Sequence, residues 1–340
     1  MIASGASPVL PKIPGINARG VYTLSTLQSG IAIRAAVDHT PPRQAVLIGG
    51  GYIGLEMAEN LILRGTQVTL VEKTPQVMNT LDPDMAGLLA EEIRKAGVTL
   101  YLEESLQGFE LQGDEIRTVV TDRRTLPADL VIMGLGVRPN AGLAREAGIP
   151  VGETGGVKVN EGMETGMPGV WAAGNCTESL HLVSRRPVTI ALGTIANKQG
   201  RVAGINIAGG QAVFPGVVGT AMVKVFDWEV ARTGLQEREA EEAGLPFRSV
   251  KIEARTRAGY YPGAGKIHVK IVFNPENGRL LGGQIVGQEG AGKRIDVLAT
   301  ALHAGMTVEE MINLDLGYSP PFSPAWDPIL IACRQAAGQV

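Results

Sequence analysis

Apolar positions along this chain follow two rhythms that alternate. Residues 45–48 form a short unbroken apolar run, the mark of a buried strand. From Tyr52 to Arg64 the spacing becomes helical, with Ile53, Met57, Leu61 and Ile62 broadly on one side and Gly65 as a C-terminal stop. A second β-run at 67–71 ends in Glu72. A helical stretch then opens at Asp82-Pro83, runs to Lys95 and is closed by Gly97 ahead of a strand at 98–102. Segments 106–111 and 116–121, joined through Gly113-Asp114, predict a hairpin, and 128–133 a buried strand. Past residue 213 the order changes. Strand-like segments at 221–226, 247–254, 266–273 and 280–286 are followed by helical ones at 295–303 and 308–312, where Thr307 and Glu310 make a T-x-x-E capping box. That half predicts a sheet covered by helices, an α+β unit.

Residues 45–56 read AVLIGGGYIGLE, in which Gly49, Gly51 and Gly54 complete G-x-G-x-x-G. A glycine avoids the Cβ penalty at the turn, a second lets backbone approach a pyrophosphate, and a third lets helix and strand pack closely. The helix that follows offers unpaired N–H groups, at Tyr52 and Ile53 first, and the positive end of its dipole. Glu72 falls about 20 residues downstream, where a carboxylate can accept from a ribose 2′-OH. In a chain with 45 glycines the bare motif could be chance. Strand before, helix after and acid at the right distance make it a dinucleotide site. Glu72 would repel a 2′-phosphate, which favours NADH over NADPH, while Lys73 and Arg64 pull the other way. In GLGVRPN (134–140), Gly134 and Gly136 are either cofactor neighbours or parts of a tight turn.

Composition narrows the class. A chain of 340 residues predicts two or three domains. A net charge of −3 gives no basic footprint for nucleic acid. No apolar run nears the roughly 18 residues that span a bilayer, and no secretory signal is visible, so a cytoplasmic protein without a membrane span is expected. Cys176 and Cys333 stand far apart in no metal-like spacing, and the four histidines are scattered, so neither disulfide nor metal site is predicted.

With GVWAAGNC at 169–176, the pattern resembles the flavin-dependent pyridine nucleotide–disulfide oxidoreductases. AGYYPGAGKIHVKIVFN (258–274), GKRIDVLATALHAGMTVEEM (292–311) and LDLGYSPPFSPAWDP (314–328) are similar to the branch holding coenzyme A disulfide reductases and water- or peroxide-forming NADH oxidases. The resemblance implies an α/β fold of Rossmann-like FAD- and NAD(P)H-binding domains, the FAD domain incomplete, plus a C-terminal α+β dimerisation domain. On this chain 41–156 would be the NAD(P)H-binding domain, 1–40 and 157–212 a partial FAD-binding domain, and 213–340 the dimerisation domain. MIASGASP resembles the family's second FAD motif, ending in Ala3-Ser4-Gly5 where relatives have Ala-Thr-Gly. Relatives carry a first glycine fingerprint and a redox cysteine upstream of it, so a truncated gene product, an expression fragment or a miscalled start is expected.

The resemblance also assigns residues. Ser4, Gly5, Gly174 and Asn175 would border FAD; Asn175 stands where relatives have an Asp that accepts from a ribityl hydroxyl. Leu192, Gly193 and Thr194 would begin a helix aimed at the flavin's pyrimidine carbonyl. Tyr52 matches a tyrosine that covers the flavin and moves when nicotinamide stacks, and Glu56 an acid near the nicotinamide amide; buried filler and surface charge are the alternatives. Tyr260, Tyr261 and Tyr318 would reach the other subunit's active site beside coenzyme A or a thiol, or else pack an interface. The implied activity is an FAD-dependent NAD(P)H oxidoreductase passing hydride to flavin and on to a small-molecule disulfide, polysulfide, thiol or dioxygen acceptor, as a homodimer. An inactive dimeric NAD(H)-binding remnant is the alternative, and a flavin reductase with loosely bound FAD a third.

Overall fold

Five parallel strands carry the glycine loop. The computed structural model, which describes residues 1–340, orders them Val21–Thr23, Leu130–Met133, Gln44–Ile48, Gln67–Val71 and Thr99–Tyr101. One face is covered by the helices Leu27–His39, Tyr52–Ile62 and Pro83–Lys95. The other is covered by an antiparallel sheet of Leu106–Gln112, Glu115–Thr121 and Thr125–Pro127, which includes the predicted hairpin. Burial on both faces explains why the parallel strands read as plain apolar runs.

The parallel-sheet unit takes in residues before 41, since Val21–Thr23 pairs with Leu130–Met133 and Ile33 and Val37 enter its core. The Tyr52–Ile62 helix turns a different stripe inward from the one its spacing predicts. It buries Gly54, Leu55, Ala58 and Leu61, leaving Ile53 and Met57 half-buried. The small residues Gly54 and Ala58, four apart, let the helix lie close on the sheet.

The C-terminal sheet is antiparallel, in the order Ala221–Val225, Trp228–Gly234, Leu280–Gly287, Lys266–Phe273 and Arg248–Arg255. Helices Ala291–Ala304, Val308–Ile312 and Pro328–Ala337 cover one face, and the Thr307–Glu310 capping box forms. From the other face Val223, Val225, Val230 and Val286 enter the same core as the helices of the parallel-sheet unit, so the two units share apolar packing.

Polar groups reinforce that junction. Lys270 Nζ lies 3.0 Å from Asp82, 2.8 Å from Asp84 and 2.9 Å from Glu237. Asp82 exchanges two bonds of 2.7 Å with Gln284, its N–H donating to Oε1 and its Oδ2 accepting from Nε2. Burial works to lower the lysine's pKa, but hydrogen bonds to Asp84 and Glu237 and the charge of Asp82 overcome it and raise it. No helix is long and apolar enough to cross a membrane.

Candidate functional site

The three motif glycines meet three different surroundings. A Cβ on Gly54 would drive into the Gly49 carbonyl oxygen, and one on Gly49, at φ +107°, would meet the Gly134 carbonyl. Those two are required by packing of the chain on itself. Gly51, the N-cap of the Tyr52–Ile62 helix, faces open space, and no side chain caps the helix start. The backbone N–H groups there are free for an anion. Gly134, rather than Gly136, touches the loop; Gly136 (φ +85°) has nothing within 4 Å of its Cβ position and leads into Val137–Pro139.

Glu72 stands at the end of Gln67–Val71, nearly buried, with its carboxylate already engaged. Oε2 accepts from the Gly50 N–H at 2.7 Å; Oε1 accepts from the Thr74 N–H at 2.8 Å and its hydroxyl at 2.7 Å. A carboxylate offers about four acceptor sites, so a ribose hydroxyl can still be received. Arg64 is tied to Asp38, whereas Lys73 is exposed with no acidic partner.

Segments about 170 residues apart build the second part of the site. Ile2 bridges Ala172 in parallel; its N–H donates to the Trp171 carbonyl at 2.7 Å, and its carbonyl accepts from the Ala173 N–H at 3.0 Å. The two segments run on from this bridge into Ser4-Gly5 and Gly174-Asn175. Ser4 Oγ donates to the Asn140 carbonyl at 2.6 Å, and Asn140 Nδ2 donates to the Ser4 carbonyl at 2.9 Å, tying the turn to the end of GLGVRPN. Gly5 and Gly174 both take positive φ, +67° and +88°. Fully buried Gln199 accepts from the Gly174 N–H at 2.8 Å and so fastens the helix Gly193–Ile207 against this turn. The helix begins at Leu192 without a side-chain cap, leaving Gly193 and Thr194 exposed. Asn175 Oδ1 is buried and accepts no hydrogen bond. An orphaned oxygen of that kind is costly without a ligand, and it fits a site that receives a hydroxyl donor.

Tyr52 from the first part and Leu192 from the second line one cavity of about 810 Å³, with Thr80, His181, Arg232 and Glu239 among its polar walls. Burial lowers the His181 pKa, partly opposed by Glu239. Its Nδ1 accepts from the Val183 and Ser184 N–H groups, both at 3.3 Å. Glu56 lines a different hollow, with Met222, Lys224, Glu229 and Lys293; burial and then neighbouring Glu59 raise its pKa.

Residues 1–207 match the pyridine nucleotide-disulphide oxidoreductase family, and residues 220–328 its dimerisation domain. The chain belongs to the pyridine nucleotide-disulphide oxidoreductases. Among these oxidoreductases it is 41% identical over 336 residues to an NAD(P)H coenzyme A polysulfide/persulfide reductase of Pyrococcus horikoshii, covering 98% of this chain and 75% of the relative. An NADH oxidase of Methanocaldococcus jannaschii is 37% identical over 337 residues, covering 99% of this chain and 75% of that protein. The solved NAD-dependent persulfide reductase from A. fulgidus superposes with a TM-score of 0.96 at 41% identity, over 99% of this chain and 63% of its own.

Within this oxidoreductase fold Tyr260 and Tyr318, 58 positions apart in sequence, come together on the surface, and the Tyr318 phenol beside Tyr260 raises the latter's pKa. Tyr261 carries the Arg257 guanidinium 6.0 Å from its ring centroid. Neither cysteine is exposed: Cys176 Sγ donates to the Ala173 carbonyl at 3.4 Å, and burial pushes the Cys333 thiol up to about 12. Thr80, Arg232 and Glu239 carry no motif, and no signal in the sequence marks them.

Proposed function

We propose that this chain serves FAD-dependent oxidation of NAD(P)H in a homodimer, with a disulfide, a polysulfide or dioxygen as the final acceptor. The observation that carries the reading is the glycine loop, where two glycines are consumed by close packing and the third stands open before an uncapped helix start. Gly51 would admit a pyrophosphate, and the N–H groups of Tyr52 and Ile53 would donate to it. Glu72 would accept from the adenosine ribose. With Arg64 committed to Asp38, NADH is favoured, and exposed Lys73 keeps NADPH within reach.

Ser4, Gly5 and Gly174 would border FAD, and the orphaned Asn175 oxygen would accept from one of its hydroxyls. The positive end of the helix at Leu192, Gly193 and Thr194 would stabilise negative charge on a ring carbonyl held there. Tyr52 would cover the ring face and yield to nicotinamide. When bound, the two dinucleotides supply hydride transfer and onward two-electron reduction of the acceptor. Tyr260, Tyr261 and Tyr318 would stand at the partner subunit's acceptor site as proton donors.

Purified chain with stoichiometric yellow flavin that bleaches on addition of NADH is the expected result. A second reading, a dimeric NAD(H)-binding protein without turnover, draws on the two buried thiols. Colourless protein that still binds NADH would establish it.

A further inference from the structure

The Tyr52 phenol has one hydrogen-bond partner. Its oxygen lies 3.4 Å from Thr80 Oγ1, long for an O–H···O contact. Thr80 is gripped from behind, where Arg232 Nη1 donates to its carbonyl oxygen at 3.0 Å. Arg232 is itself nearly buried. Its other donors reach the Glu239 carboxylate, at 3.2 and 2.7 Å, and the Gly234 carbonyl. The backbone on either side of Thr80 is fixed as well. The Met78 N–H donates to the Gly50 carbonyl at 2.8 Å, and Asp82 is locked to Gln284 and Lys270. The backbone that carries the hydroxyl facing Tyr52 is therefore held on the cavity wall by the C-terminal sheet.

We infer that Thr80 and Arg232 are positioning residues for Tyr52, fixing where its phenol rests before nicotinamide arrives. The inference rests on the coenzyme site proposed above and adds its control from the other unit. The ADP-ribose half of the coenzyme needs the glycine loop and Glu72 and makes no demand on the Tyr52 ring. The nicotinamide end must enter the cavity the ring occupies. Cutting the tether should therefore change affinity for the whole coenzyme and leave ADP-ribose alone, whereas a merely structural effect would move both.

Calorimetry on the purified 340-residue chain with excess FAD tests this. T80V should tighten NADH about two- to threefold, the reach of one weak neutral hydrogen bond, and leave ADP-ribose unchanged. R232K should act in the same direction and less strongly. In a Y52F background T80V should add nothing. Equal shifts for both ligands, no shift for NADH, or a T80V effect that survives Y52F would each overturn the inference while leaving the coenzyme site standing. Failure of the unaltered chain to bind either ligand would bring down the proposed function and this inference with it. If R232K does not fold, T80V decides alone, since it keeps the carbonyl that Arg232 holds.

Discussion

The glycine loop proposed to hold coenzyme and the turn expected to border flavin are built in opposite ways. At the loop the polar groups find partners close in sequence: Gly50 with Glu72, and Glu72 with Thr74. At the flavin-side turn three distant segments converge through Ile2, Asn140 and Gln199, and Asn175 Oδ1 is left without a donor. A site made from contiguous chain can satisfy itself and stay open at one point. A site assembled across the fold can be complete in backbone and still lack a partner that the ligand must bring.

Substitutions can press on that contrast, the harshest being Gly54→Val. Its side chain would collide with the Gly49 backbone, which cannot give way, so urea melts should show a loss of about 3 kcal/mol, with NADH binding down at least about 100-fold. Gly51→Ala is the sharper probe. Its φ of −84° suits any residue and its Cβ meets open space, so the fold should hold while NADH binding weakens about tenfold. If the two variants behaved alike, the division between packing glycine and ligand-facing glycine would be wrong.

The shared cavity has an acid sensitivity of its own. Burial lowers the pKa of His181, and also that of His268 in the C-terminal sheet, below the ordinary 6.5. The unfolded chain then takes up protons first, so stability is full above pH 6.5 and falls as pH drops through the lower folded values. Urea midpoints should decline between pH 7.5 and 5, and H181Q should flatten that slope. The smallest effect belongs to Asn175→Leu. Without FAD it should leave stability within about 0.5 kcal/mol, because the lost oxygen had no partner, yet FAD titration should show affinity down about fivefold.

What was legible in the sequence follows the same division. Residues 45–72 could be read directly, since strand, glycines, helix and acid are contiguous and each obeys a local rule. Ser4-Gly5 and Gly174-Asn175 obey no spacing rule and were reached only through resemblance. The strand Trp228–Gly234 escaped because Arg232 and Thr233 interrupt its apolar pattern. They are buried with their polar groups satisfied, Arg232 by Glu239 and Thr233 by Thr220, which periodicity cannot express. Asp82 and Lys270 are 188 positions apart, and nothing near either one announces the other.

The carboxylate cage around Lys270 bears on how such a protein could breathe. Asp82 and Asp84 come from the parallel-sheet unit, Glu237 and Lys270 from the other, so prising the lobes apart would break two of the lysine's three ion pairs and leave nearly buried Asp82 without its cation. Swinging one lobe against the other is thus a costly motion. A coenzyme held as proposed would come and go more cheaply by rotating rings and yielding side chains within that frame.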